Sequence, residues 1–152
     1  MRTLALLATI ALVHAPALTA QGTGEVQSAR ADLQADRTKL VADNLQLTEA
    51  EAQKFWPVYN DYRAKWSKLD DRALALVQDY AANYDAMSDE KAQQLLKQQL
   101  GIEEDRLKLR QDYLGKFAKV LPWKKTARYY QIERKMDAAL ASETAEIIPL
   151  VK

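Results

Sequence analysis

The sequence predicts an all-α protein, and three observations carry that reading. Glycine and proline are scarce, four of each in 152 residues, and Leu, Ala, Gln, Lys, Glu and Asp fill the stretches between them, a composition that favours helices. From Ala52 the apolar positions fall at Phe55, Tyr59, Tyr62, Trp66, Leu69, Ala73, Leu76 and Tyr80 in alternating steps of three and four, the 3.5-residue period of a coiled-coil seam. Two start signals punctuate the chain: Thr48 with Glu51 three residues on, and Ser88 followed by Asp89 and Glu90. A threonine or serine hydroxyl at those places accepts an amide of the first turn, and the acids complement the helix dipole. The expected architecture has four helices, two of them long, arranged as a helical hairpin or cradle.

Residues 1–20 read as a secretory signal peptide, with an early cation at Arg2, an apolar run from Leu4 to Val13 and small residues at Ala15, Ala17 and Ala20. Cleavage is expected after Ala20, with Ala17 as the second choice. The apolar run is about half of what a permanent membrane helix needs. Residues 21–25 are expected as a flexible lead-in, and residues 26–146 as a single helical domain. Its first helix runs from Val26 to Asn44, with Leu33, Leu40 and Val41 on one side.

The second helix, opening at Thr48 and continuing to about Tyr84, would be roughly 55 Å long at 1.5 Å per residue. Pro57 lies inside it, where it removes the bond to the Gln53 carbonyl and crowds that turn. The seam keeps its register on both sides, so a kink is expected and not a stop. After a short link, the third helix starts past Ser88 and runs to about Leu121. Leu95, Leu96, Leu100, Ile102, Leu107, Leu109, Leu114, Phe117 and Val120 give it a broad apolar face in two adjacent stripes. Leu121-Pro122 reads as a stop and restart. The fourth helix then runs to Glu146, with Trp123, Ala127, Tyr130, Met136 and Leu140 inward. The apolar tail, residues 147–152, is expected to dock on the helices or on a second subunit. Long thin helices in so short a chain leave apolar stripes uncovered in a monomer, and an intertwined antiparallel homodimer covers them.

The chemistry available is narrow. The chain has no cysteine, and its one histidine, His14, lies in the signal segment. Without imidazole or thiol the usual general bases and nucleophiles are missing, and Ser28, Ser67, Ser88 and Ser142 lack the flanking glycines of a nucleophile elbow. The carboxylate groups at Asp70-Asp71, Asp89-Glu90 and Glu103-Glu104-Asp105 are consecutive, so their members fan around a helix and do not converge. No enzyme activity, cofactor or metal centre is expected. Soft and borderline metals prefer ligands that this chain lacks.

Removal of Arg2 with the signal leaves 21 basic and 21 acidic residues, but they are segregated. Residues 106–135 carry ten Lys or Arg against Asp112 and Glu133, whereas residues 21–105 carry sixteen acids against ten bases. Two readings follow: the regions attract one another in antiparallel packing, or the basic region is a face for an acidic partner. Nucleic acid is not expected as a partner. The aromatics, three tryptophans and seven tyrosines, mostly fall on the helical stripes and read as core. Trp123 and Tyr129 border the basic run, however, and apolar rings beside Lys124, Lys125 and Arg128 make an amphipathic surface suited to non-native chains.

Leu47-Thr48-Glu49-Ala50-Glu51 resembles the Leu-Thr-x-x-Gln motif of the Spy/CpxP family of periplasmic proteins, with glutamate in place of glutamine. The exchange keeps the capping-box mechanism, since both side chains accept the Thr48 amide. A second copy of the motif would fall near Leu121-Pro122-Trp123-Lys124-Lys125, where only the leucine matches. The resemblance implies a cradle-shaped homodimer in the periplasm that binds non-native envelope proteins without ATP or modulates envelope-stress signalling. Near-neutral charge, the Phe55-Trp56-Pro57 cluster and the apolar tail depart from the family pattern. Client contact is expected from Arg106, Arg110, Lys116, Lys119, Lys124, Lys125 and Arg128 with Trp123 and Tyr129. Leu47, Thr48, Glu51, Phe55, Trp56 and Pro57 form the structural motif. The alternatives are a metal-responsive sensor or scavenger, and a structural adaptor for one envelope partner.

Overall fold

A computed structural model describes residues 20–151. All regular structure among them is helical: α1 Ala20–Leu45, α2 Glu49–Asn83, a 3₁₀ turn Tyr84–Ala86, α3 Asp89–Val120 and α4 Trp123–Ile147. The expected signal segment lies outside the described residues apart from Ala20. The chain divides into two units, Met1–Asp36 and Arg37–Lys152. The described part of the first unit is α1 backbone, which begins six residues before the expected Val26 and takes in Gly22 and Gly24. The second unit holds the end of α1 and all the remaining elements.

α2 shows how local chemistry sets an element. Thr48 has extended backbone angles, its hydroxyl accepts the Glu51 amide at 3.3 Å, and the Glu51 carboxylate accepts the Thr48 amide at 2.8 Å. Both halves of the capping box are therefore present. The helix continues through Pro57 for 35 residues, because the seam on either side supplies more packing than one lost amide bond removes. Ser88 caps α3 in the same way, accepting the Lys91 amide at 3.2 Å. Thr48→Ala is expected to cost about 1 kcal/mol, read as a lower urea midpoint. A change below the error of the measurement would mean that tertiary packing alone holds this end.

The core is aromatic. Val41, Leu45, Phe55, Tyr59, Tyr62, Trp66, Tyr113, Phe117, Leu121 and Tyr129 form one buried cluster. Phe117 is its centre, with ring centroids of Tyr129 at 4.5 Å, Phe55 at 5.6 Å and Tyr62 at 5.8 Å. Trp56 packs edge-on against both Phe55 and Tyr59, so the two rings after the cap form a wall of the core, while Pro57 faces out. Past Trp66 the α2 seam is only half-buried, at Leu69, Ala73, Leu76 and Tyr80.

Three apolar faces differ from expectation. On α3, Leu95, Ile102 and Phe117 are buried, but Leu96, Leu100, Leu107 and Leu114 are exposed, because among the described residues only one of the two stripes has a neighbour. On α4 the buried positions are Thr126, Tyr129 and Glu133, whereas Trp123 is 65% exposed. Of the expected inward set, Tyr130, Met136 and Leu140 are half-buried, the first two against the core, while Ala127 faces out with Trp123; Tyr129, stacked closely on Phe117, carries the register. On α1, Val41 is buried with Leu45 and Arg37, and Leu40 faces out. At the tail the Tyr80 hydroxyl donates to the Pro149 carbonyl at 2.8 Å, while Leu150 and Val151 are exposed.

Candidate functional site

The basic residues of α3 and α4 divide into those used internally and those left at the surface. Trp66, nearly buried, is surrounded by guanidinium groups from Arg63, Arg106 and Arg110, with carbon-to-centroid distances of 5.7, 5.5 and 4.8 Å. Such cations gain from the electron-rich ring face. Arg106 also donates to Asp70 at 2.8 Å and Arg110 to Asp137 at 2.9 Å. Both arginines are thus committed to α2 and α4. Lys116 lies 4.0 Å from the Tyr113 centroid and 4.0 Å from Asp61. The Tyr113 hydroxyl donates to Asp61, and with Lys65 alongside it holds that carboxyl below the usual range.

At the start of α4 two cations close the end of α1. Arg128 Nε donates to the Asn44 carbonyl at 2.7 Å, and Lys125 Nζ to the Gln46 carbonyl at 3.0 Å and to the Glu51 carboxylate. Gln46 has φ of 51°, the left-handed turn that ends many helices. The last turn of α1 has no basic residue of its own, so α4 supplies the positive charge that the carbonyl end of a helix favours. The Lys125 ammonium, followed by the Thr48 amide, lowers the Glu51 pKa. An open groove of about 530 Å³ runs here between Leu45, Gln46, Lys124, Lys125, Arg128 and Gln131.

Tyr129, expected at the contact surface, is 1% exposed and belongs to the core. Burial raises its pKa well above the ordinary value, with Glu133 adding to the effect. Trp123, Lys119 and Lys124 are exposed, and no ion pair among the described residues engages either of these lysines.

The arrangement that sequence reasoning missed is ionic and buried. Arg37 of α1 donates to Glu133 and, at 2.8 Å, to Asp137, both on α4; Arg63 of α2 lies 3.9 Å from Glu133. Arg37, Arg63 and Glu133 are each at most 9% exposed. Burial lifts the Glu133 pKa against the pull of Arg37 and Arg63. Burial works against the charge of Arg37 too, but Glu133 and Asp137 hold its pKa above the ordinary value. One signal pointed here: Glu133 follows Tyr129 by four positions and precedes Met136 by three, so it lies on the apolar side of its helix.

Among the described residues no group of His, Cys, Asp and Glu side chains is placed to hold a metal ion, and no helix is long and apolar enough to cross a membrane. The described fold defines a helical protein with an aromatic core, a buried ionic cluster and an exposed leucine stripe. No known family model, curated protein or solved structure matches the chain.

Proposed function

We propose that this chain is a periplasmic binding protein of the Spy/CpxP type, an ATP-independent chaperone or envelope-stress accessory that acts as a homodimer on non-native proteins. The motif Leu47-Thr48-Glu49-Ala50-Glu51 and the signal-like N-terminus support the class and compartment. The observation that carries the activity is the exposure of Trp123, 65%, next to Lys124 and four residues beyond Lys119. A bare indole costs free energy in water and gains most when an apolar segment covers it. Unpaired ammonium groups alongside would steer acidic stretches of the same segment.

Client contact on this reading rests on Trp123, Lys119 and Lys124, with the outer edges of Lys116, Lys125 and Arg128. Arg106, Arg110 and Tyr129 shape the scaffold behind it. Light scattering of a chemically denatured client is expected to fall when the protein is present at equimolar dimer. Trp123→Ala is expected to lose most of that effect with helix content unchanged. No suppression by the unaltered protein sinks the chaperone reading; capture of one stoichiometric envelope partner without suppression favours the adaptor instead.

A further inference from the structure

Leu96, Leu100, Leu107 and Leu114 are 57, 54, 54 and 39% exposed. At 100° per residue they fall within about 40° of one another on α3, a stripe about 27 Å long. Leu100, Leu107 and Leu114 recur every seven residues, the spacing that keeps an apolar seam facing a second helix. Four leucines in line at this exposure form an apolar stripe of the kind that marks an interaction surface.

The pattern also indicates what covers it. Leu100 and Leu114 lie at equal distance on either side of Leu107, so the stripe is complementary to itself turned end for end, as a two-fold contact requires. Glu103 lies on the stripe between Leu100 and Leu107. In a parallel pair in register, Glu103 would meet its own copy inside the seam, a like-charge contact with a desolvation cost. In an antiparallel pair centred beside Leu107, each Leu100 meets the second copy's Leu114. The outer flank of one helix then meets the same flank of the other. That flank carries Glu104 and Lys108, and the two-fold brings Glu104 of each copy opposite the second copy's Lys108. Gly101 and Gly115 offer no obstacle, as each has open space where a side chain would begin.

We infer that the α3 leucine stripe is an antiparallel, two-fold seam with a second copy of this chain, centred beside Leu107. The inference rests on the homodimer reading above, whose antiparallel sense the sequence already suggested, and adds the face and the register. Because the chain lacks cysteine, single substitutions report it directly. With a bismaleimide whose reach matches the roughly 8–10 Å between packed helix axes, Leu107→Cys should become a covalent dimer. Leu96→Cys should not, since the two copies of that residue lie about 33 Å apart along the axis in this arrangement. Glu104→Lys should raise the dimer dissociation constant roughly ten-fold, and adding Lys108→Glu should restore it.

Cross-linking at both positions means a parallel seam and overturns the proposal. A dimeric mass by light scattering with no cross-link at Leu107→Cys places the contact elsewhere and leaves the homodimer reading standing. A monomeric mass for the unaltered protein overturns both, while client suppression is measured independently. Leu107→Lys, at a position exposed in one copy, is expected to yield a monomer with unchanged helix content.

Discussion

Replacing Phe117 by alanine is expected to lower the unfolding free energy by about 3–5 kcal/mol. The ring is fully buried and has five aromatic neighbours, Phe55, Tyr62, Tyr113, Tyr129 and Tyr130, with centroids from 4.5 to 6.2 Å. Four of them are held from α2 and α4, and rigid rings cannot collapse into the space a truncation leaves. Much of the transfer free energy is therefore lost without relaxation. Against a typical stability of about 5–15 kcal/mol, this single change removes a large fraction. Phe117→Leu keeps most of the volume and should cost about 1.5 kcal/mol or less. Urea unfolding at one fixed protein concentration checks both, and equal costs for the two variants would mean that the ring contacts contribute little beyond volume.

The second large effect is expected at Arg37. Arg37→Met keeps the length and apolar stem but removes the charge that faces Glu133 and Asp137, and should cost about 3–5 kcal/mol. Most of that is the penalty of leaving Glu133 buried with Arg63 alone, at 3.9 Å, as its cation. The pH dependence has a definite sign. A carboxyl whose pKa is raised in the folded state binds its proton more readily there than in the unfolded chain, so folding gains as pH falls through the raised value. Removing Arg37 raises the Glu133 value further, and the deficit of the variant should be largest at neutral pH and shrink toward acid. Arg37→Met combined with Glu133→Met should recover at least half of the loss, because an apolar pair avoids the desolvation of either charge. A double variant no more stable than Arg37→Met would show that Arg37 does not act through Glu133.

This cluster shows why part of the site stayed hidden from residue order. Arg37, Arg63 and Glu133 come from three helices, 26 to 96 positions apart in the chain. Each alone reads as a solvated charge on a long helix. Similarly, the cations Lys125 and Arg128 look like a binding face until the end of α1 is seen against them, where they take the Asn44 and Gln46 carbonyls. Segregation of acids toward the N-terminal part and bases into residues 106–135 did anticipate this use, since the bridges Arg106–Asp70, Lys116–Asp61 and Lys125–Glu51 join the two regions.

What residue order settled is local. The absence of breakers, the caps at Thr48 and Ser88, the 3.5-residue seam and the stop at Leu121-Pro122 each act within a turn or two of helix, through hydrogen bonds and backbone angles that neighbours in the chain decide. Helix class, number and most of the boundaries follow from them. Which stripe of a broad apolar face is covered does not, because that depends on where a distant helix lies. Leu96, Leu100, Leu107 and Leu114 have the same chemistry as the buried Leu95 and the half-buried Leu109, and only the placement of α2 and α4 separates them. The same tertiary choice drew Tyr129 into the core against Phe117 and left Trp123, six residues earlier on the same helix, in water.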